Sequence, residues 1–268
     1  NLQKLRLGQL KPADGATTLG ELNFHKVKLL LPFNGSNGAT SESDLSNDNR
    51  TITFSGSNAN ISTAQSKFGG SSLYIGGDGS KVEIGADGLS ATGDFTFECW
   101  IYDTSVDNYP QLAINSSNNG FFLYLGNGAT SGSSKVLRHW NGGSVTNFST
   151  ELPQSQWYHF ALVRSGSTVK LYINGTADST TRTDSGTYLM GQSSTLTIGA
   201  DGQGNDFRGY INDLRITNGL ARYTSNFTPP TSAHLTSAGD VNKQIIVNSD
   251  ADGVDIGTGG INQARISK

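Results

Sequence analysis

The chain has 268 residues, enough for one large β domain with smaller appendages, and is 34% hydrophobic and 15% charged with 34 glycines. A net charge of −3 without a clustered basic run excludes nucleic acid as the main partner, since neutralising phosphates needs a local basic excess. No apolar run is long enough to cross a bilayer as a helix, and the single cysteine, Cys99, excludes an intrachain disulfide framework. Much of the remainder is Ser, Thr and Asn, a mixture poor in helix formers and rich in turn formers. It predicts many short strands joined by tight loops.

Residues 1–26 carry Leu2, Leu5, Leu7 and Leu10 at a spacing that fits neither a strand nor a capped helix. An extended arm is expected there, with a short helix over Leu2–Leu10 as the alternative. From Val27 the period becomes two: Leu29 and Leu31, Ile52 and Phe54, Leu73 and Ile75, and Val82 and Ile84 fall on alternate residues between turn-forming clusters. The run Phe95–Tyr102 puts Phe95, Phe97, Cys99 and Ile101 on one face and Thr96, Glu98, Trp100 and Tyr102 on the other. Cys99 therefore reads as a small core residue, not a reactive thiol. Phe121, Leu123 and Leu125 form another apolar face. Trp157–Arg164 is apolar on both faces, as an interior strand requires, with His159 as a hydrogen-bonded core histidine.

Val169, Leu171 and Ile173 lead into Asn174-Gly175, a strong hairpin signal. Over Phe207–Ile216 the apolar parity switches, and a β-bulge near Asn212-Asp213 would keep both halves facing the core. After Pro229-Pro230, short strands are expected at Ile245–Val247, Val254–Ile256 and Ile261–Ile266, too weak to fold alone. The fold class is all-β: a two-sheet antiparallel jelly-roll sandwich over residues 27–235, an extended arm at 1–26 and a short β-rich docking segment at 236–268.

Glycoside hydrolysis needs two carboxylates at a set separation, whereas Glu83 and Glu98 stand singly on their strands. The histidines, His25, His139, His159 and His234, are far apart, and no nucleophile-elbow motif accompanies them, so no catalytic residue is expected. The stretch Asp201-Gly-Gln-Gly-Asn-Asp206 offers Asp201 and Asp206 as calcium ligands at the rim, although an ordinary Asp/Gly turn accounts for it better. Asp250–Asp255 starts like an EF-hand loop but has Ile261 where the closing Glu belongs. The Asn-x-Ser/Thr triplets are read as chance in a chain this rich in those residues. For glycan binding, Trp140 supplies an aromatic face and Asn141 an amide for sugar hydroxyls, with Tyr109 and Tyr188 as further loop aromatics. A second reading of Trp140, that it ends a strand and covers the core edge, stands beside the first.

The order Phe95-Thr-Phe-Glu-Cys-Trp-Ile, Trp157-Tyr-His-Phe-Ala-Leu-Val-Arg, Lys170-Leu-Tyr-Ile-Asn-Gly, Leu196-Thr-Ile-Gly and Phe207-Arg-Gly-Tyr-Ile-Asn-Asp-Leu-Arg-Ile resembles the concanavalin A-like, laminin-G-like jelly-roll superfamily. The start, Leu29-Leu-Leu-Pro-Phe-Asn-Gly, and the end, Ala221-Arg-Tyr-Thr-Ser-Asn-Phe-Thr-Pro-Pro, resemble copies in bacteriophage structural proteins: tail fibres, appendages and capsid decorations. That resemblance implies a non-enzymatic virion surface protein, homo-oligomeric, docked to other virion subunits through its terminal segments and meeting host surface glycan. A free extracellular bacterial lectin is the alternative, and a polysaccharide-degrading enzyme on the same scaffold comes third.

Overall fold

A strand with one face buried turns every second side chain inward, and the backbone is pleated wherever the sequence alternates in this way. A computed structural model describes residues 23–105, 109–114, 121–127, 134–188, 190 and 195–236, and the backbone of 245–250, 253–258 and 261–267. The expected N-terminal arm lies outside the described residues up to residue 22. The chain divides into two units, residues 25–234 and residues 1–24 with 235–268.

In the larger unit the strands are β1 (Val27–Leu31), β2 (Ile52–Ser55), β3 (Ala59–Ser62), β4 (Ser72–Gly76), β5 (Lys81–Gly85), β6 (Phe95–Asp103), β7 (Gln111–Ile114) and β8 (Phe121–Asn127). They continue as β9 (Ser134–Asn141), β10 (Ser144–Pro153), β11 (Trp157–Ser165), β12 (Thr168–Ile173), β13 (Thr176–Thr183), β14 (Thr195–Ile198) and β15 (Arg208–Asn218). They form two antiparallel sheets. The first runs β13-β12-β11-β6-β15-β4-β3 with β1 also on β15, and the second runs β10-β9-β8-β7-β14-β5-β2. No α-helix intervenes among the described residues. The inner faces meet in one apolar core, where Phe97 of the first sheet stacks on Phe160 beside it and on Phe121 of the second sheet, with centroids 5.9 and 5.8 Å apart.

The parity switch in β15 has the expected cause. Its register shifts between Asn212 and Arg215, Asp213 takes φ +57°, and Ile211, Leu214 and Ile216 all remain in the core. The bulge also marks a change of partner, since β15 pairs with β4 before it and with β1 after it. Asn212 fastens this junction: its side-chain oxygen accepts the Lys67 and Phe68 amides at 3.0 and 2.8 Å, and its NH2 donates to the Pro32 carbonyl at 2.6 Å.

The β12–β13 hairpin turns at Asn174 and Gly175, with φ of +49° and +78°. Only glycine suits the second position, because a Cβ there would run into the Phe227 carbonyl oxygen. The segment from Gly219 to His234 crosses this point as a strap, with the Phe227 amide donating to the Gly175 carbonyl at 2.9 Å. Tyr223 and Phe227 lie flat on each other, 3.6 Å between centroids, and cover Ala161, Val163 and Tyr172 on the outer face of the first sheet.

The smaller unit contains β16 (Ile245–Asp250), β17 (Gly253–Thr258) and β18 (Ile261–Ser267), a three-stranded antiparallel sheet in which Val247, Ile256 and Ala264 fall in one line. These strands coincide with the apolar runs that predicted them.

Candidate functional site

In β8 the buried Phe121, Leu123 and Leu125 point inward, which leaves Phe122 and Tyr124 half-buried on the outer face. In β9 Leu137 and His139 point inward, and Arg138 and Trp140 outward. Pairing then aligns Val145, Trp140 and Phe122 across β10, β9 and β8, with Asn147, Arg138 and Tyr124 in the next line. Trp140 and Phe122 meet edge to face, 4.9 Å between centroids. Tyr109, just before β7, stands edge-on to Tyr124 at 6.3 Å, and the Arg138 guanidinium carbon lies 5.4 Å from the Tyr109 ring centre. Arg138 also hydrogen-bonds Tyr124. It lies over Gly126, where any Cβ would occupy its space. Tyr109 and Val145 are 42% and 49% exposed, so this aromatic platform is open to solvent at both margins.

Two of the residues expected to meet glycan, Asn141 and Tyr188, lie inside instead. Asn141 follows Trp140 on the same strand and so points the opposite way. Its amide donates to Asp184 at 3.3 Å and to the Thr187 carbonyl at 3.4 Å. Tyr188 is fully buried, bridges to Ala91, and donates its hydroxyl to Asp184 at 3.0 Å. Its ring stacks on His139, centroids 5.1 Å apart and planes 5° from parallel. Burial, then the Arg182 charge, lowers the His139 imidazole to about 3, so it is neutral at physiological pH.

At the rim, Asp201 spends its carboxylate on its own turn, accepting from the Gln203 amide at 2.7 Å and the Asn205 side chain at 2.6 Å. Asp206 is buried and accepts the Gly79 amide at 2.7 Å. No group of three or more His, Cys, Asp or Glu side chains among the described residues is placed to hold a metal.

Under the strap, the outer face of the first sheet holds a buried ion cluster. Glu98 accepts from Arg215 at 2.9 and 2.7 Å through one oxygen and from the Tyr223 hydroxyl at 2.8 Å through the other. The His159 Nε2 lies 3.4 Å from it. Burial alone would raise the Glu98 carboxyl, but Arg215 and His159 outweigh it and hold the group well below the usual carboxylate range. Asp213 receives the His234 amide at 3.0 and 3.1 Å, and burial raises its carboxyl to about 7. Each acid is thus committed to the strap or its neighbours. The hollow beside them, walled by Lys170, Tyr172 and Tyr223, holds about 210 Å³, below the range of small-molecule pockets. Cys99 is buried in the core strand, as its parity predicted.

The family model Laminin_G_3, described as the concanavalin A-like lectin/glucanases superfamily, matches residues 75–222, more than half of the chain. The chain belongs to this superfamily. Among solved members of the same fold, domain 4 of AbnA, an extracellular arabinanase of Geobacillus stearothermophilus solved with arabinotriose, aligns with a TM-score of 0.55 at 19% identity. It covers 73% of this chain and 94% of that one. The receptor-binding domain of botulinum neurotoxin C/D mosaic serotype aligns with a TM-score of 0.51 at 13% identity, covering 91% of this chain and 65% of that one. These likenesses show the lectin-like fold. In sequence, guanyl-specific ribonuclease N1 of Neurospora crassa is 31% identical over 87 residues, 32% of this chain, which thus spans 53% of the length of that curated relative.

Within the superfamily sandwich, the platform brings Trp140 and Tyr109 together and separates them from Asn141 and Tyr188. Phe122, Tyr124 and Arg138 join them without having been singled out by residue type or motif. The inward parity of Phe121, Leu123 and Leu125 already implied that Phe122 and Tyr124 share the opposite face.

Proposed function

We propose that this chain is a non-enzymatic, lectin-like surface module of a bacteriophage virion that binds host glycan on the outer face of β8 and β9. The observation that carries the binding role is the platform of Trp140, Phe122, Tyr124 and Tyr109 with Arg138. Aromatic faces take sugar C–H groups, while Arg138, Asn147 and the phenols supply hydrogen-bond partners for hydroxyls. The arabinotriose complex of the arabinanase domain supports a saccharide as ligand, because the same fold holds one in that protein. Commitment of Glu98 to Arg215 and Tyr223 supports a role without catalysis.

The virion setting rests on the likeness of the Leu29–Gly35 and Ala221–Pro230 segments to phage structural proteins. It carries with it homo-oligomeric assembly and docking of the terminal segments on other subunits. A free extracellular lectin is the second reading, favoured by the neighbouring domain's place in an extracellular enzyme. Recovery of the chain from purified particles at stoichiometric copy number decides for the virion, and its absence from them decides for the free lectin.

Trp140→Ala tests the platform. Loss of an interface aromatic costs about 1–3 kcal/mol, so attachment to cells or to an arrayed glycan falls roughly 5- to 150-fold. Unchanged attachment by a folded variant refutes the platform as the site.

A further inference from the structure

Four aromatic side chains stand in line on the outer face of the first sheet, on the opposite side of the sandwich from the Trp140 platform. Tyr74 on β4 pairs with Tyr210 on β15, Tyr210 with Tyr102 on β6, and Tyr102 with Trp157 on β11. Their centroids are 5.2, 5.9 and 5.6 Å apart in that order. Asn60 on β3, opposite Tyr74, ends the line with an amide. The neighbouring outward positions on β6 and β11 are roofed. Thr96, Glu98 and His159 lie beneath or beside the strap, and Trp100 is capped by the Lys67 ammonium at 3.9 Å and the Phe68 ring edge at 5.8 Å. The four-ring row is part-exposed, and its three phenol hydroxyls and the Trp157 indole N–H have no hydrogen-bond partner among the described residues.

We infer that the row Tyr74–Tyr210–Tyr102–Trp157 is a second binding surface, for a soluble, linear, uncharged polysaccharide lying across the strands. Ring spacing close to the length of one pyranose unit lets successive sugars meet successive rings, and the phenol hydroxyls and the Asn60 amide supply hydrogen-bonding groups along the row. The row itself contains no charged side chain, and Arg208, which flanks it on β15, is turned to the Gly76 carbonyl and paired with Asp78 at 3.5 Å, which fits an uncharged chain. Neighbouring ring planes are turned by 42°, 79° and 59°. A twisted row of this kind suits a chain whose sugars rotate along its axis, not the flat face of a crystalline polymer. A protein partner is the poorer fit. Four aromatic side chains of about 150–250 Å² each, none more than about a third exposed, offer about 350 Å² at most, against roughly 800 Å² per partner in a specific protein interface. The inference does not depend on the Trp140 platform, from which it is separated by the thickness of the sandwich.

Affinity electrophoresis of the full chain in gels containing hydroxyethylcellulose, soluble xylan or linear arabinan tests it. At least one polymer retards the unmutated protein, and Trp157→Ala or Tyr102→Ala weakens that retardation at least tenfold while Trp157→Phe restores most of it. Trp140→Ala, on the far side of the sandwich, tests the platform and not this row. Retardation by none of the three polymers, or full retardation of a folded Trp157→Ala protein, overturns the inference. Should the alanine variants fail to fold, hydroxyl-radical footprinting of the unmutated chain decides instead. The retarding polymer then lowers labelling of Trp157 at least threefold, and unchanged labelling overturns the assignment.

Discussion

Glu98 separates the binding reading from an enzymatic one most sharply, because it is the one acid fully buried on the central strand. Its carboxylate accepts from Arg215 at 2.9 and 2.7 Å and from Tyr223 at 2.8 Å, with the Arg222 Nε at 3.9 Å. Glu98→Ala strips Arg215, a residue 6% exposed, of that carboxylate. Breaking a buried ion pair from one side costs about 3–5 kcal/mol, and the abandoned Tyr223 hydroxyl adds about 1. Glu98→Gln keeps the shape and one acceptor, and loses about half as much. The sign with pH follows from the depressed carboxyl: its contribution is complete above the ordinary carboxylate pKa of 4.5 and is lost as pH falls toward the lower folded value. Below pH 4.5 the parent should therefore lose more stability than Glu98→Gln, since the histidine contributions are common to both and only the Glu98 share differs. Urea denaturation followed by circular dichroism at pH 7, pH 4.5 and pH 3 measures both effects, the last two spanning the Glu98 window. If Glu98→Ala costs less than about 1 kcal/mol while abolishing turnover on some polysaccharide, Glu98 is a catalytic acid and the structural assignment fails.

Other substitutions probe the frame that carries the two aromatic surfaces. Gly175→Ala drives a Cβ against the Phe227 carbonyl at a positive φ, and should cost more than about 1 kcal/mol and loosen the strap, seen as faster proteolysis within residues 219–234. Tyr188→Phe removes the hydroxyl that Asp184 accepts, and should cost about 1 kcal/mol in urea melts while leaving attachment unchanged. His139 is neutral in the folded chain with its imidazole lowered to about 3, whereas the unfolded chain protonates it near 6.5. Its share of stability is therefore complete above 6.5 and falls as pH drops toward 3, by about 1.4 kcal/mol per unit at most. His234 acts in the same direction, and Asp213, raised to about 7, acts in the opposite one. The difference in slope between the parent and His139→Leu isolates the His139 contribution, and equal slopes would show that the imidazole titrates normally.

Period-two alternation made the sandwich legible because burial of one face is a local constraint that each strand repeats. The bulge at Asn212-Asp213 could be read for the same reason: Ile211 and Leu214 cannot both face the core without an extra residue between them. The turn at Asn174-Gly175 was legible from backbone stereochemistry alone. The candidate site was only half legible. Trp140 and Tyr109 were found by residue type, but Asn141 was assigned by adjacency in sequence, which a strand converts into opposition in space. Tyr188 could not be told from a loop aromatic, since its burial depends on Asp184 and His139 arriving from other segments. The four-ring row was invisible because its members come from β4, β15, β6 and β11, and only the sheet order makes them neighbours.

A single strand shows how the surface available for binding is decided. β6 sends Phe95, Phe97, Cys99 and Ile101 into the core, while Thr96, Glu98, Trp100 and Tyr102 rise in sequence on the outer face. Thr96 donates to the Leu220 carbonyl and Glu98 takes the Tyr223 hydroxyl, so both belong to the strap. Trp100 belongs to the Lys67–Phe68 cap. Tyr102 is the first of the four to emerge from cover, and it emerges between two other rings, Tyr210 and Trp157. The outer positions of β6 therefore carry one acid, which is locked, and end in an aromatic, which is open. Glycoside hydrolysis needs two carboxylates flanking the bond, and β6 carries no second acid on this face. Here the exposed end of the strand offers a ring and a phenol hydroxyl, groups able to stack on and hydrogen-bond a sugar, as the inferred row requires.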